Sequence, residues 1–316
     1  MLRHYVSQAR RLASSGVGVQ WRCLSANPSS PLPAGTDYLY DGGRLDVTGA
    51  MKSAFEENGF VVFRNLLSTG ELARVRLGLE DNGAIMQESI AVADGTGRQS
   101  RMCLWNQPGT DVTGMVGRAE KVAGTMEQLL GGEVYHYHTK LMMKEAYTGG
   151  AFVWHQDYGY WYMNGCLYPH MATAFIAVDM CKKENGCMQV IPGSNLLGRI
   201  EHLRVAGQTG ADAERIELIK KRLDEVYVEM EPGDALFFHS LLLHKSNENS
   251  SPNRRWAFLC AYNRASNDPL LPHHHPQYTP LEKVANGAIM ECENFSDLSG
   301  KDFLQPGTDK TSEGKR

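Results

Sequence analysis

The sequence predicts a mainly β fold with flanking helices, a cupin-like jelly roll (a double-stranded β-helix). The first observation is order: helical segments come early, and a long series of short, β-prone segments follows from Val134 onward. The second observation is that turn-forming pairs, such as Asn185-Gly186 and Pro192-Gly193, separate those segments. We find no internal repeat, so we expect one domain over residues 37–301.

The early helices are predicted from apolar spacing and from residues that start or end a helix. Leu72, Val75 and Leu79 share one helical face, and Ser68 or Thr69 can cap that helix. Glycines after the periodic stretches mark the helix ends. The predicted helices span residues 53–58, 68–80 and 117–130.

The β-prone segments are short and carry strand-like composition, with β-branched and aromatic residues. Residues 212–225 interrupt them with a charged helix or lid-like insertion. The predicted strands span residues 60–63, 135–143, 172–179, 188–191, 226–230, 235–239 and 256–261.

Composition narrows the classes of function. With 316 residues, 42% of them hydrophobic and 22% charged, the chain has the make-up of a globular protein with a substantial core. A formal net charge of −4 argues against a nucleic-acid partner, and no apolar run approaches the roughly 18 residues of a membrane span. The seven cysteines form no CxxC pair, which argues against a disulfide framework or structural zinc. We therefore expect a small-molecule substrate; the oligomeric state is not predicted.

The two ends of the chain differ from the domain. Residues 1–36 contain several arginines and serines and no acidic residue, which is typical of an organellar transit peptide followed by a linker. Arg22-Cys23-Leu24-Ser25 resembles a mitochondrial processing site, so we expect import into the mitochondrial matrix. A disordered basic start is the alternative. Residues 302–316 are expected to form a flexible tail.

The segment Trp154-His155-Gln156-Asp157 carries the most informative chemistry. Residues i and i+2 of a strand share a face, so His155 and Asp157 can present an imidazole and a carboxylate together. With a distant histidine they would form a 2-His-1-carboxylate facial triad, which holds Fe(II) and leaves positions open. An isolated His-x-Asp is a weak motif, and an ordinary polar pair is the alternative.

Two histidines compete for the third position. His239 and His244 are five residues apart, which places them on opposite faces of an uninterrupted strand, so only one can be the ligand. We choose His244, because Ser246 offers a hydroxyl beside the metal and Arg255 begins a strand-like run. His239 is then expected to be a packing residue or to support a ligand. Arg255 can clamp a dicarboxylic co-substrate, which predicts an enzyme that consumes O2 and 2-oxoglutarate.

A run of three histidines lies at residues 273–275. Pro272 precedes the run and Pro276 follows it. We expect a surface loop there, although His-rich tracts can bind metal weakly.

Several longer segments occur in an order that is specific to one family. By these landmarks, residues 58–268 resemble the phytanoyl-CoA dioxygenase family of Fe(II)/2-oxoglutarate oxygenases. Within it, the run after His155 looks most like the branch that hydroxylates small zwitterions, such as ectoine and free L-proline. The landmarks are Asn58-Gly59-Phe60-Val61-Val62, Trp154-His155-Gln156-Asp157, Asn185-Gly186-Cys187-Met188-Gln189-Val190-Ile191-Pro192-Gly193-Ser194, and Gly233-Asp234-Ala235-Leu236-Phe237-Phe238-His239 continuing through His244, Ser246 and Arg255.

The resemblance implies iron ligands, residues around 2-oxoglutarate, O2 as the second co-substrate and ascorbate as an accessory reductant. Related halogenases have a small residue where Asp157 stands, so the carboxylate implies hydroxylation. Phe175 replaces a tryptophan of the acyl-CoA branch, which leaves its role open. The implied iron ligands are His155, Asp157 and His244, and the implied co-substrate residues are Arg255, Ser246, Lys144 and Phe175.

The substrate residues are predicted in part from the same resemblance. His138 and Lys140 lie where the family places substrate contacts, with ordinary polar strand residues as the alternative. Tyr158 and Trp161 follow the metal ligands and can form an aromatic wall around an ammonium group, with core packing as the alternative. We expect hydroxylation of free L-proline at C4 to trans-4-hydroxy-L-proline, with succinate and CO2. An acyl-CoA 2-hydroxylase of the phytanoyl-CoA type and a non-catalytic ligand sensor are the alternatives.

Overall fold

The computed structural model describes residues 31–80 and 83–304, in which lie fourteen strands and eight α-helices. The strands, in chain order, are β1 (Asp37–Leu39), β2 (Phe60–Arg64), β3 (Ile90–Ala93), β4 (Gln99–Trp105), β5 (Val134–Lys144), β6 (Phe152–His155), β7 (Met171–Ala177), β8 (Met188–Val190), β9 (His202–Val205), β10 (Gln208–Ala211), β11 (Val226–Val228), β12 (Ala235–His239), β13 (His244–Ser246) and β14 (Arg255–Arg264). The helices are α1 (Gly49–Asn58), α2 (Thr69–Glu80), α3 (Gly83–Gln87), α4 (Val112–Arg118), α5 (Thr125–Leu130), α6 (Asp157–Trp161), α7 (Ala213–Lys220) and α8 (Ala288–Glu291).

Two sheets form the body of the domain. The major sheet has eight strands in the order β1-β2-β12-β7-β14-β5-β4-β3, antiparallel except for the parallel pair β1–β2. The minor sheet has four strands in the order β11-β8-β13-β6, and β9 and β10 form a separate hairpin. Most of these strands are distant in sequence from their neighbours, as in a jelly roll.

The major sheet is buried on both faces, as β12 illustrates. Phe237 packs into the core that the sheet shares with the helices, whereas the next residue, Phe238, packs into the core shared with the minor sheet. One layer of helices and one small sheet therefore cover the two faces of the major sheet. The predicted jelly roll with flanking helices is confirmed.

The helix predicted over residues 117–130 is wrong as a continuous element. Ala119 has an extended conformation (φ −61°, ψ 139°) and separates α4 from a π-helical turn that leads into α5. The cause is a non-local pairing with Val284, whose carbonyl accepts from the Glu120 amide at 3.0 Å and whose amide donates to the Arg118 carbonyl at 2.9 Å. These tertiary hydrogen bonds replace those that would have continued the helix.

Other elements begin and end close to their predicted positions. Helix α1 starts earlier than expected, with the Thr48 hydroxyl accepting from the Met51 amide at 3.2 Å, and it ends at Gly59 in the left-handed region (φ 81°). Helix α2 ends at Glu80 as predicted. The strands β1, β3, β4, β9 and β10 were not predicted.

The described ends of the chain pack against the domain. Within the expected linker, Thr36 is fully buried and its carbonyl accepts from the Val62 amide at 2.7 Å. Within the expected tail, Leu304 donates to the Leu104 carbonyl at 2.9 Å. The remainder of the predicted transit peptide and tail lies outside the described residues. Within the described ranges, no helix is both long and apolar enough to cross a membrane.

Candidate active site

Three potential metal ligands converge at one end of the minor sheet. His155 is the last residue of β6, His244 is the first residue of β13, and the two are register partners with ring centroids 4.1 Å apart. Asp157 starts α6, and its Oδ1 lies 3.9 Å from His244 Nε2. One donor atom from each residue lies within 4.8 Å of the others. The distances suit a single ion held from one side.

The predicted placement of Asp157 on the same strand face as His155 is wrong. The strand ends at His155, and a helical turn rather than strand alternation brings the carboxylate to the imidazole. Gln156 holds the turn: its fully buried side chain accepts from the Ile200 amide at 2.8 Å and donates to the Leu241 carbonyl at 2.8 Å.

Hydrogen bonds fix which nitrogen each imidazole offers. His155 Nδ1 lies 2.8 Å from the Val153 carbonyl oxygen, and His244 Nδ1 lies 2.9 Å from that of Leu242. A carbonyl only accepts, so both Nδ1 atoms carry the proton and both Nε2 atoms keep a free lone pair. Burial lowers the pKa of both imidazoles, which favours the neutral form that binds metals.

The carboxylate is also oriented by a neighbour. Thr173 on β7 donates from its hydroxyl to Asp157 Oδ2 at 3.1 Å, which leaves Oδ1 on the side of His244. Two neutral imidazoles and one carboxylate, each held by the surrounding fold, are the donor set that suits Fe(II). Thr173 was not predicted, because it lies 16 residues from Asp157 and no local pattern distinguishes it.

The competition between the two histidines is resolved by a break in the strand. His239 ends β12 in the major sheet and His244 begins β13 in the minor sheet, so the premise of an uninterrupted strand is wrong. His239 packs edge-on against Phe55, and its Nδ1 accepts from the Leu241 amide at 3.1 Å. The triad therefore contains His244, as expected.

Beyond the triad, two cationic side chains are buried side by side. Arg255 and Lys144 are register partners on β14 and β5, and are only 2% and 1% exposed. The guanidinium donates to the Gly186 carbonyl at 2.7 Å, and its Nε has no hydrogen-bond partner among the described residues. The ammonium donates to the Asn247 carbonyl. Burial, and secondly the charge of Arg255, hold the pKa of Lys144 well below its usual value.

No carboxylate of the described residues forms an ion pair with either side chain, so a bound anion would supply the partner that both lack. The Arg255 guanidinium lies 5.9 Å from the Phe175 ring centroid, and Ser246 follows His244 by two residues on β13. The residues predicted for 2-oxoglutarate thus surround one site next to the triad. Their arrangement fits a dicarboxylate with its far end on the guanidinium.

The predicted substrate residues divide into two groups. His138, Lys140 and Lys144 alternate along one face of β5, and the charge of Lys140 contributes to lowering the pKa of both triad imidazoles. Trp161 lies edge-on to His138 at 5.6 Å. Tyr158 and Trp161 both belong to a buried aromatic cluster. The contacts of Tyr158, whose hydroxyl donates to the Leu167 carbonyl at 2.6 Å, are those of a packing residue.

A histidine from β9 supports the ligand turn and was not predicted. His202 accepts from the Gln156 amide at 3.0 Å through Nε2, and its Nδ1 lies 2.9 Å from the Ile200 carbonyl. The ring passes so close to Gly159 that a Cβ there would lie 2.1 Å from it, which explains the glycine within α6. His202 is 46 residues from Gln156, so no local sequence signal indicates the contact.

The expectation of a surface loop at residues 273–275 is wrong for one member. His275 is only 7% exposed, and its ring lies 4.6 Å from His138 and 4.7 Å from Tyr137. The flanking prolines predicted the loop, but they do not show which of its side chains is buried. Packing against Tyr137 and His138 of β5 buries His275.

Fold and site together define a non-haem Fe(II)- and 2-oxoglutarate-dependent dioxygenase. In comparisons with known proteins, residues 55–257 match the family described as phytanoyl-CoA dioxygenase (PhyH), and the chain belongs to that family. The predicted class, with iron as cofactor and 2-oxoglutarate as co-substrate, is therefore confirmed.

Named relatives extend the comparison. An L-proline trans-4-hydroxylase of Streptomyces griseoviridis is 28% identical over 71% of this chain and 90% of its own length. An ectoine dioxygenase of Stutzerimonas stutzeri is 24% identical over 83% and 89% of the two chains. The crystal structure of EctD from S. alaskensis with 2-oxoglutarate and 5-hydroxyectoine superposes with a TM-score of 0.65 at 20% identity, over 83% of this chain and 95% of that one, which shows the shared fold.

Proposed function

We propose that this protein hydroxylates a small zwitterionic molecule, with free L-proline at C4 as the first candidate substrate. The products would be trans-4-hydroxy-L-proline, succinate and CO2. The observation that carries the proposal is Lys140, a cation on the metal-facing side of β5 that forms no ion pair among the described residues. A carboxylate on a small substrate would supply the missing partner.

The residues of the chain divide the work by position. His155, Asp157 and His244 would hold iron, which when bound supplies the activation of O2. Arg255 and Lys144 would bind the carboxylates of 2-oxoglutarate in a buried site, where water cannot screen the charges. These two cations would fix the position of the co-substrate, and the Val153 and Leu242 carbonyls keep the two imidazoles in the tautomer that offers Nε2.

Cationic and aromatic side chains near the triad support this choice of substrate. Lys140 would pair with the substrate carboxylate, and His138, two residues away on the same face of β5, would line the site together with Trp161, which it contacts edge-on. Tyr160 packs against His155 at 5.7 Å between ring centroids and adds a further aromatic face near the metal. A cyclic substrate with one carboxylate and one ammonium matches this combination.

Ectoine is the second candidate substrate, and it is favoured by the relatives as much as proline is. Several similar proteins are named ectoine dioxygenases. An acyl-CoA remains an alternative because of the family's name, and a non-catalytic sensor remains one because a fold does not fix a function.

One incubation separates these candidates. Protein with Fe(II), 2-oxoglutarate and ascorbate would receive proline, ectoine or phytanoyl-CoA, and mass spectrometry would search for a product about 16 mass units heavier. We expect proline to give the heavier product together with an equal amount of succinate, and we expect no such product with the Asp157→Ala variant. A heavier product from ectoine alone would make ectoine the substrate in place of proline. A heavier product from the acyl-CoA alone would contradict the proposal of a small zwitterionic substrate. No product from any of them, with tight ligand binding, would support the sensor.

We further propose that residues 1–36 direct import into the mitochondrial matrix. Support comes from their basic, Ser-containing and acid-free composition. A fusion of residues 1–36 to a fluorescent protein should reach the matrix and be shortened on import. A fusion that stays in the cytosol would contradict the proposal.

A further inference from the structure

We infer that His275 determines substrate specificity: its Nε2 accepts a hydrogen bond from the ammonium of an amino-acid substrate whose carboxylate pairs with Lys140. The inference rests on the proposed function and adds a residue and a contact to it. His275 lies beyond residues 55–257, where the chain matches its family.

The hydrogen bonds of Asn106 fix the tautomer of His275. The side-chain amide nitrogen of Asn106, Nδ2, donates to Asp302 Oδ2 at 2.8 Å and to the His274 carbonyl at 2.6 Å, so both of its hydrogens are used. The amide oxygen is therefore the atom 2.9 Å from His275 Nδ1, and this nitrogen must be the donor. A neutral imidazole has only one N–H, so Nε2 carries a lone pair.

The imidazole is held neutral by its surroundings. Burial, and then the neighbouring His274 and Lys140, keep the pKa of His275 well below its usual value. Among the described residues, the hydrogen bond of the His275 ring is made by Nδ1. Nδ1 of His275 thus donates within the fold, and Nε2 is left as a neutral acceptor.

The position of His275 links it to the triad. Its ring lies 4.6 Å from His138, which is two residues from Lys140 on the same face of β5. His138 also lies edge-on to Trp161 of α6, at 5.6 Å between ring centroids, and α6 begins at the triad residue Asp157. The His275 ring and Lys140 therefore lie at the same face of β5, beside the helix that carries Asp157.

These two groups complement a zwitterion. The lone pair of His275 favours an N–H donor and repels a carboxylate, whereas Lys140 has the opposite preference. Together they would set the orientation of a small amino acid at the triad. A ligand without the N–H would leave this acceptor without a partner, which weakens binding.

The test compares two ligands that differ in that N–H. Binding of L-proline and of cyclopentanecarboxylate to the anaerobic Fe(II)–2-oxoglutarate complex would be measured by calorimetry in wild type, His275→Phe and His275→Gln. Phe retains the ring packing without the acceptor, and Gln restores an acceptor oxygen. His274→Phe is the matched control, because the His274 ring packs against His275 at 4.2 Å while its backbone carbonyl, which remains, contacts Asn106.

We expect wild type and His274→Phe to prefer proline by roughly tenfold to a hundredfold. The preference should vanish in His275→Phe, return in part in His275→Gln, and leave 2-oxoglutarate affinity unchanged. An unchanged preference in His275→Phe, or no preference in wild type, would overturn the inference. Retained preference without hydroxylation of proline would instead count against the proposed function alone.

Discussion

Lys144 and Arg255 face each other across β5 and β14, and both charged groups are buried without a carboxylate partner among the described residues. Two neighbouring buried cations are unfavourable in isolation, because each loses its hydration and each repels the other. The arrangement is stabilised when a dianion binds between them. The pair is therefore the strongest structural sign of a dicarboxylic co-substrate beside the triad.

Removing the guanidinium should separate co-substrate binding from metal binding. For Arg255→Ala we expect a loss of about 2–5 kcal/mol in 2-oxoglutarate affinity, because a buried charge pair loses one partner. Iron stoichiometry should stay near wild type. Equilibrium dialysis with labelled 2-oxoglutarate measures the first and metal analysis the second.

Arg254→Ala is the matched control for that variant. The Arg254 guanidinium pairs with Glu80 and Asp179 at a partly exposed position, so its loss should leave 2-oxoglutarate affinity intact. An equal loss of iron and 2-oxoglutarate in Arg255→Ala would count against the role assigned to this arginine.

Replacing Lys144, the second buried cation, should affect the ligand-free protein and the 2-oxoglutarate complex in opposite directions. Lys144→Met removes the charge but keeps the length of the side chain, so the ligand-free protein should unfold no more easily, or be more stable by about 1–4 kcal/mol. Its stabilisation by 2-oxoglutarate should fall. Urea denaturation with and without the co-substrate measures both effects. A less stable ligand-free variant that still gains full stability from 2-oxoglutarate would refute this view of Lys144.

The two histidines of the β12–β13 region should behave differently on truncation. His244→Ala removes a triad imidazole and should abolish specific Fe(II) binding. His239→Ala should keep the iron and lose stability, because the ring packs on Phe55 and accepts from the Leu241 amide. Iron titration of both variants is the measurement. The reverse pattern would mean that His239 is the ligand.

Burial of neutral histidines should make stability depend on pH. Burial lowers the pKa of His136 to about 3, whereas an unfolded histidine titrates near about 6.5. The unfolded state thus takes up the proton first as pH falls. The contribution of neutral His136 to the free energy of unfolding is therefore fully present above the pKa of the unfolded state. As the pH falls from there toward the pKa of the folded state, the contribution is lost by at most about 1.4 kcal/mol per pH unit.

Replacing His136 with a side chain that cannot titrate should shrink that dependence. For His136→Gln we expect the difference in unfolding free energy between about pH 7.5 and about pH 5 to be smaller than in wild type by about 2 kcal/mol. Urea denaturation at the two pH values of each protein measures it. An unchanged difference would show that His136 does not carry this proton.

Local sequence signals were sufficient for elements whose residues act locally. Gly59 ends α1 and Ser68 precedes α2, because caps and turns depend on adjacent residues. The break at Ala119 was missed, because its cause is Val284, far along the chain. Patterns of spacing cannot report such pairings.

The candidate site divides in the same way. His155, Asp157, His244 and Arg255 were found because their residue types at that spacing carry chemistry. The reason given for two of them was wrong, since Asp157 lies on a helix and β12 ends before His244 begins β13. Supporting residues that act only through tertiary contacts, such as Thr173 and His202, had no local signal.

The most direct test of the central claim is an anaerobic titration of the protein with Fe(II) and then 2-oxoglutarate, followed by visible absorption. We predict one iron per chain and a metal-to-ligand charge-transfer band that appears only when both are present. The band should be absent in His244→Ala and should need much more 2-oxoglutarate in Arg255→Ala. Binding of 2-oxoglutarate to the wild-type protein without any such band would contradict an iron- and 2-oxoglutarate-dependent active site built on these residues.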